Sequence, residues 1–250
     1  MMISDGVEIL DGMPILYIKE LSALVCSDLH LGYEGVMSKN GIFLPKVNLK
    51  NIEEMLSKAI YEKKPNRVII DGDIKNEFSE VHTEEFNELH DFVGFLREKK
   101  VKEIVLVKGN HDNFVDRLKA PFDIKVYQQE ALIGDYLFFH GEELPKSKSG
   151  KLLVMGHIHP AIVLYNKLGI REKLKCFLYG SVKDGRKIII LPAMNYFAEG
   201  IGVNAESVGG MAPVLMDMLD IDEMNALCIG SAETLDFGRV KELRSLASRS

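Results

Sequence analysis

The chain has 250 residues, of which 46% are hydrophobic and 27% charged, and this composition can bury a large core, which excludes a disordered protein. The net charge of −6 disfavours nucleic-acid binding by bulk charge, and since the sequence has neither a signal-peptide pattern nor a run of about 18 apolar residues, we expect a cytoplasmic protein. The three cysteines share no CxxC spacing, which excludes a disulfide framework and a cysteine zinc site and favours buried thiols.

The first half of the chain alternates predicted strands and helices. The predicted strands are 7–10, 15–18, 23–26, 68–70 and 104–107. Asp11-Gly12 separates the first two, which predicts a hairpin. Apolar residues at helical spacing predict one helix over 49–64, with Asn48 as its N-cap, and another over about 83–99, with Phe86 facing the core. This alternation is typical of a β-sheet with helices packed on its faces.

The second half is richer in signals for antiparallel pairing. Its predicted strands are 131–133, 136–139, 152–154, 162–164, 176–182 and 187–191. Gly134-Asp135 and Asp184-Gly185 each separate two of these strands, which predicts two more hairpins. Glycines between 200 and 210 predict a loop, and residues 241–250 fit either a short helix or a frayed tail. The two halves together predict an α/β fold in which two mixed β-sheets pack as a sandwich flanked by helices.

Side chains that can bind metals follow several of these strands. The residues at the strand ends are Asp28, His30, Asp73, Asn110, His111, Asp112, His140, His157 and His159. Because ligands of α/β sheets bind outside the carboxyl ends of the strands, we expect these side chains to converge on one crevice. Carboxylate, amide and imidazole donors suit divalent transition metals, and the set is too large for one tetrahedral site. The pattern therefore predicts two cations, which together can clamp a phosphate and acidify a water molecule.

The strand-end residues form five motifs in a recognisable order. The motifs are Asp28-x-His30, Gly72-Asp73-x-x-Asn76, Gly109-Asn110-His111-Asp112, His140-Gly141 and Gly156-His157-x-His159. This series resembles the calcineurin-like metallophosphoesterase superfamily, and three segments, 27–32, 72–78 and 191–193, look like its SbcD-related archaeal phosphoesterases and PdeM-like proteins. The resemblance implies a four-layer α/β/β/α sandwich. We expect a single domain over 1–250, with a motif-bearing core of about 21–192 and a C-terminal segment, about 193–250, whose role stays open.

The resemblance also implies a role for each motif residue. One cation would be bound by Asp28, His30 and His159, and the other by Asn110, His140 and His157, with Asp73 bridging the two. His111 would donate a proton to the substrate phosphate or the leaving-group oxygen, and Asp112 would orient the other ring nitrogen of His111. Asn76 stands where close relatives often carry histidine. Manganese is the expected metal because hard oxygen donors accompany the imidazoles, and iron, zinc, nickel and cobalt stay open.

The predicted activity is hydrolysis of phosphoesters, with phosphodiesters as the expected class and a metal-bridging hydroxide as the nucleophile. The subfamily resemblance suggests a nuclease linked to DNA repair, so nucleic acid stays open as a substrate. A phosphodiesterase for cyclic nucleotides fits the acidic charge, and a protein-binding scaffold without catalysis is a third alternative. We expect no membrane partner, and a homodimer stays open.

Several residues beside the motifs have two interpretations. Tyr33-Glu34 either lines the substrate cleft or has no role there, and Asp71 either supports the metal centre or ends a strand. His82 and His90 are expected to be solvated or to lie on a helix face. The cluster of Lys146, Lys148 and Lys151 is interpreted as a solvated loop in preference to a nucleic-acid contact.

Overall fold

The computed structural model describes residues 1–78, 83–115, 122–165, 168–210 and 212–247. Within these residues the chain forms two mixed β-sheets that pack face to face. The cluster between the sheets contains apolar side chains from both, among them Val25, Ile69 and Val105 from the first sheet and Phe138, Val154 and Ile189 from the second. Burial of this apolar area is the main source of the sandwich's stability. The predicted sandwich is therefore confirmed.

The first sheet contains seven strands of the described chain in sequential order. They are β1 (Met2–Ser4), β2 (Val7–Ile9), β3 (Leu16–Ile18), β4 (Ala23–Cys26), β5 (Arg67–Asp71), β6 (Glu103–Val107) and β7 (Lys125–Tyr127). β1 to β4 pair antiparallel, which confirms the hairpin of β2 and β3, and β4 to β7 pair parallel. The parallel strands β4, β5 and β6 therefore end at one edge of the sheet.

The outer face of the first sheet is covered by helices. The described α-helices are α1 (Tyr33–Lys39), α2 (Asn48–Lys63), α3 (Thr83–Glu98) and α4 (Val240–Ala247). α2 and α3 bury side chains such as Leu56 and Phe92 against this face. The prediction that Phe86 faces the core is wrong, because this first-turn residue is 39% exposed and packs on the ring of Phe122 at 5.4 Å.

The N-terminus of α2 corrects the prediction for Asn48. The cap position is Val47, and Asn48 is the first helical residue, buried beneath the loop that follows β4. Its amide donates to the Leu29 carbonyl at 3.0 Å and accepts from the Tyr196 backbone at 2.9 Å, so it is not available to cap the helix. The buried Glu34 side chain accepts the N–H groups of Val47 and Asn48 instead, at 3.0 and 2.9 Å. Glu34 is thus a cap for α2, which satisfies two helix N–H groups.

The second sheet contains nine strands of the described chain. They are β8 (Glu130–Ile133), β9 (Tyr136–Phe139), β10 (Leu152–Met155), β11 (Pro160–Tyr165), β12 (Arg171–Ser181), β13 (Lys187–Ile190), β14 (Ile201–Gly202), β15 (Asn225–Ile229) and β16 (Thr234–Arg239). The antiparallel pairs β8–β9 and β12–β13 confirm the two predicted hairpins. β9 and β10 pair parallel, so they too end at a common edge.

The C-terminal segment completes and covers the second sheet. β15 pairs with β12 and β16, and two 3₁₀ turns, Pro213–Asp217 and Ile221–Glu223, bury Leu215 and Ile221 against the outer face. The expected loop near residue 200 contains the short strand β14, and the tail is helical over Val240–Ala247. Within the described ranges, no helix combines the length and the apolarity needed to cross a bilayer.

Candidate metal centre

Predicted ligands from both sheets meet where β4, β5 and β9 end and β10 leads into β11. His140 Nε2 lies 3.2 Å from Asp73 Oδ2 and 3.8 Å from Asp28 Oδ1. His159 Nε2 lies 2.9 Å from Asp28 Oδ1, and His30 Nε2 lies 3.9 Å from Asp73 Oδ2. Asp28, His30 and His159 each offer an atom within 4.8 Å of the others, as do Asp28, Asp73 and His140. The structure thus brings five of the predicted ligands into two adjoining groups, as the expected crevice requires.

The remaining two predicted ligands lie beside these groups. The ring of His157 is 5.1 Å from that of His140, at an interplanar angle of 71°. Its backbone N–H donates to Asp28 Oδ2 at 3.3 Å. Asn110 directly precedes His111, whose own N–H donates to Asp73 Oδ1 at 2.9 Å. These contacts, together with the peptide bond between Asn110 and His111, therefore connect all seven predicted ligands.

The donor atoms of the site fit two cations because several are buried without a hydrogen-bond partner. These atoms are Asp28 Oδ1, both ring nitrogens of His30, Asn110 Oδ1 and His140 Nε2. A buried polar atom without a partner carries a free-energy cost, which a bound cation would remove. The donor atoms are oxygen and nitrogen. The nearby Cys26 thiol is not a donor, because burial raises its pKa to about 12 and keeps it protonated. This set suits the divalent transition metals.

The protonation states also suit metal binding. Burial lowers the pKa of His30 and of His157 to about 4, so both rings are neutral at neutral pH. Burial alone would raise the pKa of Asp73, but the adjacent His140 outweighs it and lowers the pKa to about 2. Asp73 and Asp28 in turn raise the pKa of His140 against the effect of burial, so a cation at its Nε2 would displace a proton.

Ligand orientation depends on unusual backbone geometry. Five predicted ligands have left-handed φ angles, namely Asp28 at 56°, His30 at 46°, Asp73 at 53°, His157 at 69° and His159 at 43°. Such angles cost non-glycine residues free energy, about 1–3 kcal/mol each, and they cluster at functional sites. Among the described residues, these five are half of the ten non-glycine residues with such φ angles, so left-handed backbone is concentrated at the predicted ligands.

Two motif glycines leave room for ligand side chains. A Cβ on Gly72 would overlap the His140 ring, and a Cβ on Gly109 would overlap the Asp73 carboxylate. The His140 ring then donates through Nδ1 to the Asp71 carbonyl at 2.8 Å, which leaves Nε2 facing the two aspartates. Asp71 thus ends β5 and orients a predicted ligand through its backbone.

Comparison with known proteins decides the family. The family model described as calcineurin-like phosphoesterase matches residues 21–186. The chain belongs to this family. Membership implies a phosphoester hydrolase that uses two metal ions, and the two ligand groups of the site agree with it. A search of curated protein sequences finds no match.

Comparison with a solved structure confirms the predicted fold class. The chain is similar to the nuclease MPE of Pseudomonas putida, with a TM-score of 0.64 and 21% identity over 90% of this chain and 94% of that one. It also matches YfcE, a phosphoesterase from E. coli, with a TM-score of 0.42 and 18% identity over 87% of this chain and 98% of that one. At these identities the likeness concerns the fold.

His111 lies at the metal centre, but Asp112 does not orient it. His111 Nε2 is 3.8 Å from Asp73 Oδ2, and its Nδ1 contacts the backbone carbonyl of Asn76. The Asp112 carboxylate accepts backbone N–H groups instead, from Asp73 at 2.8 Å and from Gly109 at 2.9 Å, and also from Ile74 and Lys75. The predicted role of Asp112 is therefore wrong. It holds the loops after β5 and β6 together and acts on the site through them.

We expect Asp112→Asn to lower the free energy of unfolding of the chelator-treated protein by about 2–3 kcal/mol. The new NH2 group cannot accept a hydrogen bond, so two buried backbone N–H donors would lose their acceptor. Urea denaturation measures this loss. Asp91→Asn is the matched control, since the Asp91 side chain is 67% exposed on α3. Equal stability of the two variants would contradict the structural role of Asp112.

The segment that follows β13 also contacts the site, and the sequence motifs did not predict this contact. Ala193 bridges to Ser27, the Asn195 N–H donates to the Asp28 carbonyl at 3.0 Å, and the Ile201 N–H donates to the His159 carbonyl at 2.9 Å. We name residues 193–201 the crossing segment, because it runs between two predicted ligands. The Leu191-Pro192-Ala193 motif was a signal for it, but no spacing rule connects that motif to Asp28.

The other side chains with two interpretations are now placed. Lys146, Lys148 and Lys151 are exposed, as expected for a solvated loop. His90 is exposed on α3, and His82 lies outside the described residues. The three cysteines are free and buried, as predicted.

Proposed function

We propose that this calcineurin-like phosphoesterase hydrolyses phosphodiesters with two divalent cations, with manganese as the first choice. The observation that carries the proposal is the set of buried, unpartnered donor atoms on Asp28, His30, Asn110 and His140. Bound there, two cations would lower the pKa of a water molecule and neutralise charge on the phosphate. In this proposal Asp73 would link the two groups, because its carboxylate faces His30 of the first group and His140 of the second.

His111 is the proposed proton donor. The Asn76 carbonyl holds Nδ1, which leaves Nε2 on the side of Asp73 and the substrate. As water adds at phosphorus and the P–O bond to the leaving group breaks, His111 Nε2 would give its proton to the departing oxygen. Asn76 serves this arrangement through its backbone, so a histidine at this position is not required for it.

A diester suits the site better than a monoester dianion. Within the described residues, two lysines have a pKa that a site aspartate influences. Asp73 acts on Lys75, and Asp28 acts on Lys175. Lys75 donates to the Glu77 carbonyl, and Lys175 donates to the carbonyls of Ala193 and Asn195. Because these ammonium groups are engaged, the cations would supply most of the positive charge. A singly charged diester requires less positive charge for its binding than a doubly charged monoester.

The test compares bis-p-nitrophenyl phosphate with p-nitrophenyl phosphate, each with and without manganese. We expect manganese-dependent hydrolysis of the diester that exceeds hydrolysis of the monoester about tenfold or more in kcat/KM. Preference for the monoester would contradict the diester proposal, and a chain that hydrolyses neither and binds no manganese would be a scaffold.

We also propose that residues 1–250 form one domain. β14, β15 and β16 of the C-terminal segment all pair within the second sheet, and α4 packs Val240 into the cluster on its outer face. Removing this segment would expose the apolar outer face of that sheet, so we expect the core alone to be insoluble.

A further inference from the structure

A half-exposed aromatic ring lies against the proposed proton donor. The ring centroids of Phe78 and His111 are 3.6 Å apart, at an interplanar angle of 35°. Phe78 is 48% exposed, so much of its large apolar ring is in contact with solvent. Asn113 donates its amide to the Phe78 carbonyl at 3.3 Å, which fixes the backbone at this position. The face of Phe78 turned away from His111 is therefore a flat apolar surface beside the leaving-group position.

A second aromatic surface lies beside the other ligand group. Tyr33 and Phe197 stack with ring centroids 5.6 Å apart and planes within 16°. Tyr196 meets Phe197 edge-on at 5.2 Å and is 58% exposed. Tyr33 follows His30 closely, and its N–H donates to the His30 carbonyl at 3.2 Å. The Tyr33–Phe197 stack therefore begins three residues after a predicted ligand, whereas Glu34 is the cap of α2.

The second surface is held rigidly to the metal centre. Phe197 lies on the crossing segment, whose two ends bond to the backbones of Asp28 and His159. The Asn195 side chain accepts the N–H groups of Phe197 and Ala198 at 2.8 and 3.0 Å. From β12 below, Lys173 donates to the Gly200 carbonyl at 2.6 Å, and Lys175 donates to the Ala193 carbonyl at 2.9 Å. A rigid aromatic surface binds a flat ligand with little loss of conformational entropy.

We propose that Phe78 and the Tyr33–Phe197 pair are two base-stacking subsites, so that the substrate is single-stranded nucleic acid. This inference rests on the proposed phosphodiesterase function. The scissile phosphate would lie at the metal centre, with the base on the leaving-group side on Phe78 and the base on the other side on Tyr33–Phe197. Aromatic stacking suits single strands, because their bases present free faces and every base has one. It also gives an acidic protein affinity for nucleic acid without a basic surface.

Two subsites favour a strand over a cyclic nucleotide. A cyclic nucleotide carries one base and would occupy one aromatic surface, whereas two consecutive nucleotides would occupy both. Duplex bases are stacked on each other and paired, so the same phosphate in a duplex would be hydrolysed more slowly.

The test uses a DNA strand in which every phosphate but one is a methylphosphonate, so that cleavage occurs at a single position. Matched strands carry an abasic site on one side, on the other, or on both sides of that phosphate. We expect the wild type to cleave the strand with both bases about 30-fold or more faster in kcat/KM than the doubly abasic strand, because each stacked base contributes about 5-fold or more. Phe78→Ala should lose the contribution of one base and Phe197→Ala that of the other, while Phe78→Trp and Phe197→Trp keep them.

The controls separate stacking from a general loss of function. The readout is the ratio between cleavage of the strand with both bases and cleavage of the doubly abasic strand by the same variant, which cancels any general loss of activity. Tyr61→Ala is the matched exposed-aromatic control, since Tyr61 is 85% exposed near the C-terminal end of α2, which leads towards the opposite edge of the sheet. Equal cleavage of all strands by wild type, or alanine variants that keep the preference for bases, would overturn the inference. So would hydrolysis of cyclic nucleotides with no cleavage of the strands, whereas failure to hydrolyse bis-p-nitrophenyl phosphate would overturn the proposed function itself.

Discussion

Asp73→Asn is expected to lower manganese-dependent hydrolysis of bis-p-nitrophenyl phosphate by about a thousandfold or more. The Asp73 carboxylate lies 3.2 Å from His140 Nε2 and 3.9 Å from His30 Nε2, so its charge acts on both ligand groups. The amide keeps the size of the side chain and an oxygen for the His111 N–H, but it removes the negative charge that binds cations. We therefore expect the variant to fold and to bind less manganese, as measured by elemental analysis.

Asp71→Asn provides a stringent comparison two residues away. Burial raises the pKa of Asp71 well above its usual range, which favours the neutral acid over the carboxylate, and an amide closely resembles the neutral acid. The backbone carbonyl that orients His140 survives the substitution. We expect its activity to stay within about tenfold of wild type. If Asp73→Asn retained activity similar to that of Asp71→Asn, Asp73 would not be a shared ligand.

His111→Gln is expected to have an effect that depends on the leaving group. Loss of a general acid costs about 10²- to 10⁴-fold when an alkoxide must leave, as from a DNA strand. A nitrophenolate leaves without a proton, so hydrolysis of bis-p-nitrophenyl phosphate should fall by less than about tenfold. Steady-state kinetics on the two substrates measure the difference.

Metal analysis of the same variant distinguishes the two roles that the geometry allows for His111. Its Nε2 belongs with His30 and Asp73 to a third group that could hold a metal ion. If His111 is a proton donor, its removal leaves the manganese content unchanged. If it is a metal ligand, its removal lowers the manganese content and slows hydrolysis of both substrates alike. His90→Gln is the control, because the His90 side chain is 69% exposed on α3.

The fold and the strand-end positions of the proposed ligands were predictable because they depend on local patterns. Apolar runs that end in Asp28, Asp73 or His140 place metal-binding side chains at strand ends whatever the details of packing. Asp11-Gly12 and the two other turn pairs fixed the hairpins for the same reason, since a tight turn determines the pairing of its flanking strands.

Interactions between distant segments could not be predicted. Asp112 binds N–H groups of residues 73–75 because burial brings the two loops together, and no spacing in the sequence encodes that contact. Asn48 has a capping composition, yet its buried amide is bonded to Leu29 and Tyr196. The left-handed backbone of His157 and its neighbours is likewise imposed by tertiary structure, because such angles are uncommon for every non-glycine residue and no local pattern specifies them.

The most direct test of the account is the manganese stoichiometry of the metal-depleted protein during titration, followed by elemental analysis and diesterase activity together. The two ligand groups share Asp28, and the Asp73 carboxylate faces both of them, which predicts two manganese ions per chain, with activity rising as the second site fills. Full activity with one ion per chain, or the same activity with none, would contradict the two-metal centre.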